Sequence, residues 1–526
     1  MLKNKSFKGR NWNLLSIDKN LVSEMEAANI PAPISTILAA RNFSSSEAIK
    51  YINPTLRELL PDPSFFKDMD ICASRTADAI IKGEKISIVG DYDVDGATSS
   101  AIITRFLKHL NVDPILHIGD RVEDGYGPNI NMLKKFIENG SSLTIIVDSG
   151  SVAFEPLSWA KEKKHDVIVV DHHTVEEELP DAVGIVNPNR KDQEEGYGHV
   201  CAAGMAFIFV IAINRELKNK NWYEDNSIKP LDLRWLLDLV ALGTVCDVVP
   251  LKTINRAFVQ TGLGVMNKKQ NTGIQALAYN ANIQTDFEGY HLGFMIGPRI
   301  NAGGRVGDSS IGSKLLTTQN PEEARNLASL LETNNKQRKE LEEHCKSTAL
   351  KQVEKQDTSE GIVMAVGDGH EGVVGIVAAR LKEAYDRPSF CFTVIGDEAK
   401  GSGRSVPGFD IGAAVIEAKD KGIVSKGGGH GMAAGASLPV SELENFRKFM
   451  DNKINSSVFS KEGIIQDIDC EISLENVSIG LHDTLLTMAP FGQENSKPRF
   501  LIRNVRILEA NPIGADKSHL KVVLQS

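Results

Sequence analysis

The sequence predicts an α/β protein of several domains, the largest of them built on a parallel sheet. Three observations carry that prediction. Short β-branched runs at residues 86–89, 143–147 and 167–170 alternate with helix-length stretches, the pattern of strands whose two faces are both covered. Each run stops at a polar cluster: Gly90-Asp91-Tyr92-Asp93-Val94-Asp95-Gly96, then Asp148-Ser149-Gly150, then Asp171-His172-His173. Open α/β sheets place their ligands at such strand ends. A second α/β pattern follows at about residues 361–455, after a charge-rich helical stretch at 321–355 that has no Gly and no internal Pro.

Taken in order, residues 1–75 read as an N-terminal cap of short helices near 20–28, 34–41 and 45–51, followed by the Pro-punctuated 54–63, with Trp12 as a packing residue. Residues 76–310 read as the largest α/β domain: a helix to 82, a strand at 85–89, a helix at 98–110, a strand at 114–118, a helix at 129–139 and a strand at 143–147. Helices at 201–214 and 231–242 come later, the second leading towards Asp247. The run Gly297-Pro298-Arg299-Ile300-Asn301-Ala302-Gly303-Gly304-Arg305 reads as a loop distinguished by its arginines. Residues 311–358 are the connector helix and 359–457 the second α/β domain, which carries three Gly-rich stretches: the Gly-initiated start of a helix at 370–375 and loops at 401–405 and 427–431. From 458 to 526 the chain turns β-like, with runs at 464–472, 499–508 and 520–525, too few strands for a closed five-stranded barrel unless others join from elsewhere.

Composition sets the outer bounds. A chain of 526 residues with 41% hydrophobic and 24% charged residues is an ordinary globular protein of three or four domains. Its longest apolar run, 202–213, is short of the roughly 20 residues that span a bilayer, and no apolar stretch backs the N-terminal lysines. No membrane role is expected. Six scattered cysteines without a Cys-x-x-Cys argue for a reducing, cytoplasmic setting. The net charge of −10 does not exclude a nucleic-acid partner, because a metal-dependent site concentrates carboxylates and needs only a local basic track.

The strand-end clusters carry the chemistry. One acidic residue after a strand is commonly a helix cap or a turn former. Asp91, Asp93 and Asp95 alternating over five residues, however, repel one another unless a cation sits among them. Two adjacent histidines on the third strand settle the choice, since caps do not need imidazole and metals use it.

On these motifs the chain resembles the DHH phosphoesterase superfamily, and over its length it resembles the RecJ branch of single-strand-specific 5′→3′ DNA exonucleases. Asp247, after the apolar stretch 241–246, supplies the fourth motif. The resemblance implies a DHH catalytic domain, a connector helix, a DHH-associated substrate domain and a C-terminal OB-like segment at 458–526. It implies a Mn(II)- or Mg(II)-dependent exonuclease that releases 5′-mononucleotides from single-stranded DNA in repair and recombination. By motif match, Asp91, Asp93, Asp95, Asp148, His172 and Asp247 are the ligands of two ions, Asp148 bridging them. His173 faces the scissile phosphate, and Asp171 fixes a histidine tautomer. Arg121 and Tyr126 are implied to meet the 5′-terminal phosphate and nucleotide, Arg305 the strand, and Ser402, Arg404 and His430 the substrate from the second domain. A monomer is expected, with a helicase and a single-strand-binding protein as partners. Two other readings are a DHH phosphodiesterase for short oligonucleotides or cyclic dinucleotides, whose sequences generally lack the cap, connector and barrel segments, and a catalytically silent DNA-binding scaffold, which should have lost metal ligands. All four motifs are present here.

Overall fold

The computed structural model describes residues 6, 10–120, 125, 127–175, 177–358, 360–459, 464–514, 517 and 519–525. The chain divides into two compact units, one of residues 44–335 and 484–497, the other of 1–43, 336–483 and 498–526. The first unit holds the parallel sheet. Its strands β1 (Ile86–Gly90), β2 (Ile115–Ile118), β3 (Leu143–Val147), β4 (Asp166–Val170) and β5 (Gly184–Val186) lie in the order β2-β1-β3-β4-β5, every pair parallel.

Period-two alternation divides each strand between two cores. Ile88, Ile145, Val147, Ile168 and Val170 enter the larger core, together with residues of α1 (Val94–His109), α2 (Ala202–Asn219), α3 (Leu237–Cys246) and α4 (Thr253–Met266). Val89, Ile146, Val169 and Ile185 enter the smaller one, with Met132, Leu133, Phe136 and Leu157. Both faces are covered, which is why the strands read as unbroken apolar runs.

Two expectations for this unit need correction. The helix expected from residue 231 begins as a 3-10 turn, Leu233–Leu236, and becomes α3 only at Leu237. Pro230 precedes it, and the Asp232 carboxylate accepts the Arg234 amide, drawing the backbone into a tighter turn. The run at 297–305, expected as a loop, is the helix Gly297–Val306. Pro298 sits in its first turn, where the missing N–H costs nothing. The glycines permit close approach: a Cβ on Gly297 would lie 2.4 Å from Cys246 Sγ and one on Gly304 2.6 Å from the Tyr92 carbonyl.

In the second unit, β6 (Val363–Gly367), β7 (Ser389–Ile395), β8 (Glu398–Arg404), β9 (Lys426–His430) and β10 (Ala433–Pro439) form a sheet in the order β9-β10-β8-β7-β6. Only β6 and β7 pair in parallel. The 33-residue α5 (Pro321–Val353) gives residues 321–335 to the first unit and 336–353 to the second, and α6 (Val374–Tyr385) packs on β7 and β8. Two of the three Gly-rich stretches, expected as loops, are therefore strands, β8 and β9. For β8 the reason is on the neighbouring β7: the stacked rings of Phe390 and Phe392, with centroids 5.0 Å apart, fill the space that side chains at 401 and 403 would need.

The N-terminal segment is shared between the units, residues to Phe43 grouping with the second and those from Ser44 with the first. It also supplies a strand that its composition did not announce. Asn11–Leu14 pairs in parallel with Ile465–Ile468, and the Arg41 guanidinium grips the Asp469 carboxylate at 2.7 and 3.3 Å. Cys470–Glu471 pairs with Phe500–Leu501, and Arg506–Ile513 with His519–Gln525. Among the described residues these strands form three two-stranded sheets.

Candidate active site

Strand register builds the site. Gly90, Val147, Val170 and Val186 lie in one row across β1, β3, β4 and β5. The next residue of each strand, Asp91, Asp148, Asp171 and Asn187, therefore leaves the sheet at one level. The sheet order reverses at β1, whose neighbours are β2 and β3, and a crevice opens at such a switch point.

Three sets of side chains there have ligand atoms within 4.8 Å of one another: Asp91 with Asp93 and Asp148, Asp95 with His172 and Asp247, and Asp148 with His172 and His173. All six residues named as ligands from the sequence are brought together, and His173 joins them. His172 Nε2 lies 3.3 Å from Asp148 and 3.8 Å from both Asp95 and Asp247. Asp148 sits at the centre with φ of +62°, a left-handed conformation that Asp tolerates better than most residues. Asp247 caps the carboxyl end of α3.

Capping and chemistry coexist at two positions. Asp93 is the N-cap of α1 and accepts the amides of Asp95 and Gly96. Asp95 accepts the amides of Ala202 and Ala203 at 2.7 and 2.9 Å, where α2 begins, so the helix N-terminus holds this carboxylate in place. Asp171 organises the turn after β4. It accepts the backbone amides of His172, His173 and Ser151, and its Oδ1 lies 2.7 Å from His173 Nδ1.

Charge separates these carboxylates into two kinds. Burial works to raise Asp171, but its bond to His173 and the charges of both histidines hold it well below the usual carboxylate range. It is ionised and accepts the His173 Nδ1 proton, which leaves Nε2 facing the crevice. Burial pulls the His173 imidazolium down, but Asp171 and the neighbouring carboxylates outweigh it and raise the pKa. The other kind is uncompensated. Burial and the Asp93 charge push Asp95 up to about 7, and burial with neighbouring acids pushes Asp148 and Asp247 well above the ordinary value. So many buried acids with so little cationic compensation, and with imidazole but no cysteine in the three ligand sets among the described residues, make a donor set that suits hard or borderline divalent cations.

The remaining sequence-predicted residues fall elsewhere. Arg121 and Tyr126 lie outside the described residues. Arg305 lies near the end of the helix Gly297–Val306 and belongs to none of the three ligand sets. Ser402 and Arg404 project from one face of β8, two residues apart. A Cβ on Gly375, in the first turn of α6, would lie 3.0 Å from the Arg404 guanidinium and 3.4 Å from the Ser402 hydroxyl, so guanidinium, hydroxyl and helix N-terminus form one anion-seeking corner. His430 ends β9, exposed and paired with Ala433.

Two residues escaped the sequence reading as parts of the site. Buried Asn187 donates to the His173 carbonyl and the Ser151 hydroxyl, and Asn189 donates to the His172 carbonyl at 2.5 Å. Together they hold the backbone of the paired histidines. Their signal was available, since Asn187-Pro188-Asn189 closes the apolar run 183–186 as the acids close theirs.

A parallel sheet whose strand ends gather acids and paired histidines defines a DHH-type phosphoesterase domain. Family models agree: the DHH family N-terminal domain matches residues 85–244, the DHHA1 domain 359–456 and the RecJ OB domain 468–526. The chain is 35% identical over 519 residues to the single-stranded-DNA-specific exonuclease RecJ of Salmonella typhimurium, covering 95% of this chain and 88% of that protein. It is 31% identical to the Bacillus subtilis RecJ, covering 98% of this chain and 64% of the relative. The crystal structure of Thermus thermophilus RecJ with Mn2+ superposes with a TM-score of 0.81 at 27% identity, over 99% of this chain and 73% of that one. A structure of the same protein with Mg2+ gives 0.73. The chain belongs to the RecJ family.

Proposed function

We propose that this chain is a divalent-metal-dependent exonuclease that removes 5′-mononucleotides from single-stranded DNA. The observation that carries the reading is the convergence of Asp91, Asp93, Asp95, Asp148, His172 and Asp247 within ligand distance at one sheet switch point. These six side chains would hold two ions, Mn(II) or Mg(II), with Asp148, which belongs to two of the ligand sets, as the bridge. When bound, such a pair supplies an activated water and neutralises charge on the phosphate. The chain's own groups do the rest. His173 presents Nε2 to the scissile phosphate and stabilises charge developing there, while Asp171 holds its Nδ1 proton and so fixes the tautomer. Asn187 and Asn189 keep the histidine backbone from drifting. On the second domain, Ser402, Arg404 and the first turn of α6 receive the 5′-terminal phosphate, with Arg121 and Tyr126 as further contacts to the terminal nucleotide and His430 as a further substrate contact. A role in DNA repair and recombination, a cytoplasmic setting, a monomeric state, and a helicase and single-strand-binding protein as partners complete the proposal. No helix among the described residues is long and apolar enough to cross a membrane.

The test is digestion of a single-stranded oligonucleotide labelled separately at each end, with Mn2+ and with chelator. Immediate release of labelled mononucleotide from the 5′-labelled strand alone, lost with chelator, is expected. Early release from the 3′ end, or undiminished cutting in chelator, contradicts the reading. Arg404→Ala is expected to weaken binding of 5′-phosphorylated strands roughly tenfold more than of unphosphorylated ones, as loss of a charge-assisted phosphate contact should. Equal losses on the two ends, read by fluorescence anisotropy, would remove Arg404 from that role.

A further inference from the structure

The corner formed by Arg404, Ser402 and the first turn of α6 has a charged boundary. Lys400, Ser402 and Arg404 alternate along β8 and so share one face, each about 7 Å from the next. Arg404 ends the strand. At the other end of the row, Lys400 Nζ lies 3.6 Å from the carboxylate of Glu371, on the turn that leads into α6. That turn is built to hold its place. His370 Nδ1 accepts the Gly372 amide and the His370 carbonyl accepts the Val373 amide, both at 3.0 Å. Thr393, paired with Lys400 in the strand register, donates its hydroxyl to the Gly369 carbonyl and fastens the turn to β7. Glu371 therefore sets a negative charge at the rim of an anion-seeking corner. A repulsive group so placed is a means of discriminating between ligands of one kind.

Charge decides which ligand the corner fits. Arg404 and Lys400 bring two positive charges and Glu371 offsets one of them. The amino end of α6, which has no side-chain cap, adds roughly half a charge more. The resulting excess of about one and a half positive charges balances a terminal monophosphate, which carries about −1.5 to −2 near pH 7. A triphosphate end carries roughly twice that charge, and its outer phosphates would meet the Glu371 carboxylate. The side chains of Lys400 and Glu371 are 45% and 28% exposed, so solvent weakens this repulsion without removing it.

We propose that the Lys400–Glu371 pair restricts this corner to 5′-monophosphate ends and turns away 5′-triphosphate ends. The proposal rests on the reading of the corner as the 5′-phosphate site. It also gives the chain a place in a sequence of reactions. Its substrates are supplied by hydrolytic strand cleavage, or by another step that leaves a 5′-monophosphate. A newly initiated strand, which keeps the triphosphate of its first nucleotide, is spared until a separate hydrolase removes the outer phosphates.

The test uses three strands of about 20 nucleotides and one sequence, ending in a 5′-hydroxyl, a 5′-monophosphate and a 5′-triphosphate. Each is measured by kcat/KM with Mn2+ and by Kd from fluorescence anisotropy in chelator. The parent is expected to favour the monophosphate over the triphosphate by roughly tenfold in both. Glu371→Gln should narrow that preference about fivefold, and Glu371→Lys should abolish or reverse it. A half-exposed ion pair contributes little to stability, so Glu371→Gln should melt within about 2 °C of the parent. A merely structural role for Glu371 would instead weaken all three ends alike, and that result, or an unchanged preference in Glu371→Gln, overturns the proposal. A parent that prefers the monophosphate to the hydroxyl yet accepts the triphosphate equally overturns this proposal alone. A parent indifferent to all three ends overturns the 5′-phosphate reading of the corner with it. If the parent cuts none of the strands, the nuclease reading falls and the Kd values still decide the preference.

Discussion

Asp148→Asn is expected to abolish nuclease activity, by at least about a thousandfold in kcat, while making the metal-free protein more stable to heat. The two effects share one cause. Asp148 is 2% exposed and surrounded by Asp91, Asp93, Asp95 and Asp247, whose charges, with burial, raise its pKa well above the ordinary value. In the metal-free fold that charge opposes folding. Asn has the same shape without the charge, so relief of about 1 kcal/mol should raise the melting temperature by roughly 2–4 °C in chelator. The proposed place of Asp148 between two ions would need an anionic carboxylate, which Asn lacks, and losing electrostatic stabilisation of this kind commonly costs two or three orders of magnitude from a single group. Calorimetric melts with chelator and with Mn2+ separate the components. The parent should gain stability on Mn2+ addition and the variant little. A variant that melts lower than the parent in chelator, or keeps the parent's Mn2+ shift, would mean that Asp148 serves the fold rather than the ions.

The metal cluster was legible in the sequence for a physical reason. Parallel strands aligned in register deliver whatever follows them to one edge, so three apolar runs ending in acids or histidines already imply convergence, and Asp91, Asp148 and Asp171 leave the sheet level with one another. Asp93 and Asp95 show that cap and ligand geometry are compatible, since each carboxylate serves a helix N-terminus and still lies within ligand distance of its neighbours. Glycine was the misleading signal. In Gly297–Val306 it buys close packing inside a helix, and in β8 it makes room for the Phe390 and Phe392 rings, so local turn chemistry gave way to tertiary contact. The pairing of Asn11–Leu14 with Ile465–Ile468 spans more than four hundred residues of sequence, and nothing local to either strand announces the other. Asn187 and Asn189 were not legible as supports because, Ser151 apart, the groups they donate to are backbone carbonyls, which every sequence has.

Arg256→Met is expected to cost the catalytic unit roughly 3–5 kcal/mol, about 10 °C or more in melting temperature for a domain of this size. The side chain is 1% exposed, and each hydrogen bond of its guanidinium goes to a backbone carbonyl: Tyr51 at 2.6 Å, Ala489 at 2.8 Å, Met488 at 3.0 Å and Pro490 at 3.4 Å. It also lies over the Tyr51 ring at 3.9 Å. Burial lowers its pKa, and fixed carbonyl dipoles take the place of a counter-ion. The planar fork matters because five donors in fixed directions can reach several carbonyls at once. Tyr51 and Asn495 complete the knot, the Tyr51 hydroxyl donating to Asn495 Oδ1 at 2.6 Å and Asn495 Nδ2 to the carbonyls of Met488 and Pro490. The segment 484–497, far along the chain from the rest of this unit, is thereby fastened to it. Methionine fills most of the volume but leaves buried carbonyls unsatisfied, each worth about 1–3 kcal/mol when stranded. Arg256→Lys keeps the charge but offers its donors from a single point, and should recover less than half of the loss. Urea unfolding followed by limited proteolysis checks both statements, with cleavage expected first near 484–497 in the variants. A Met variant that unfolds at the parent's urea concentration would show that the carbonyl cage is held by Tyr51 and Asn495 alone.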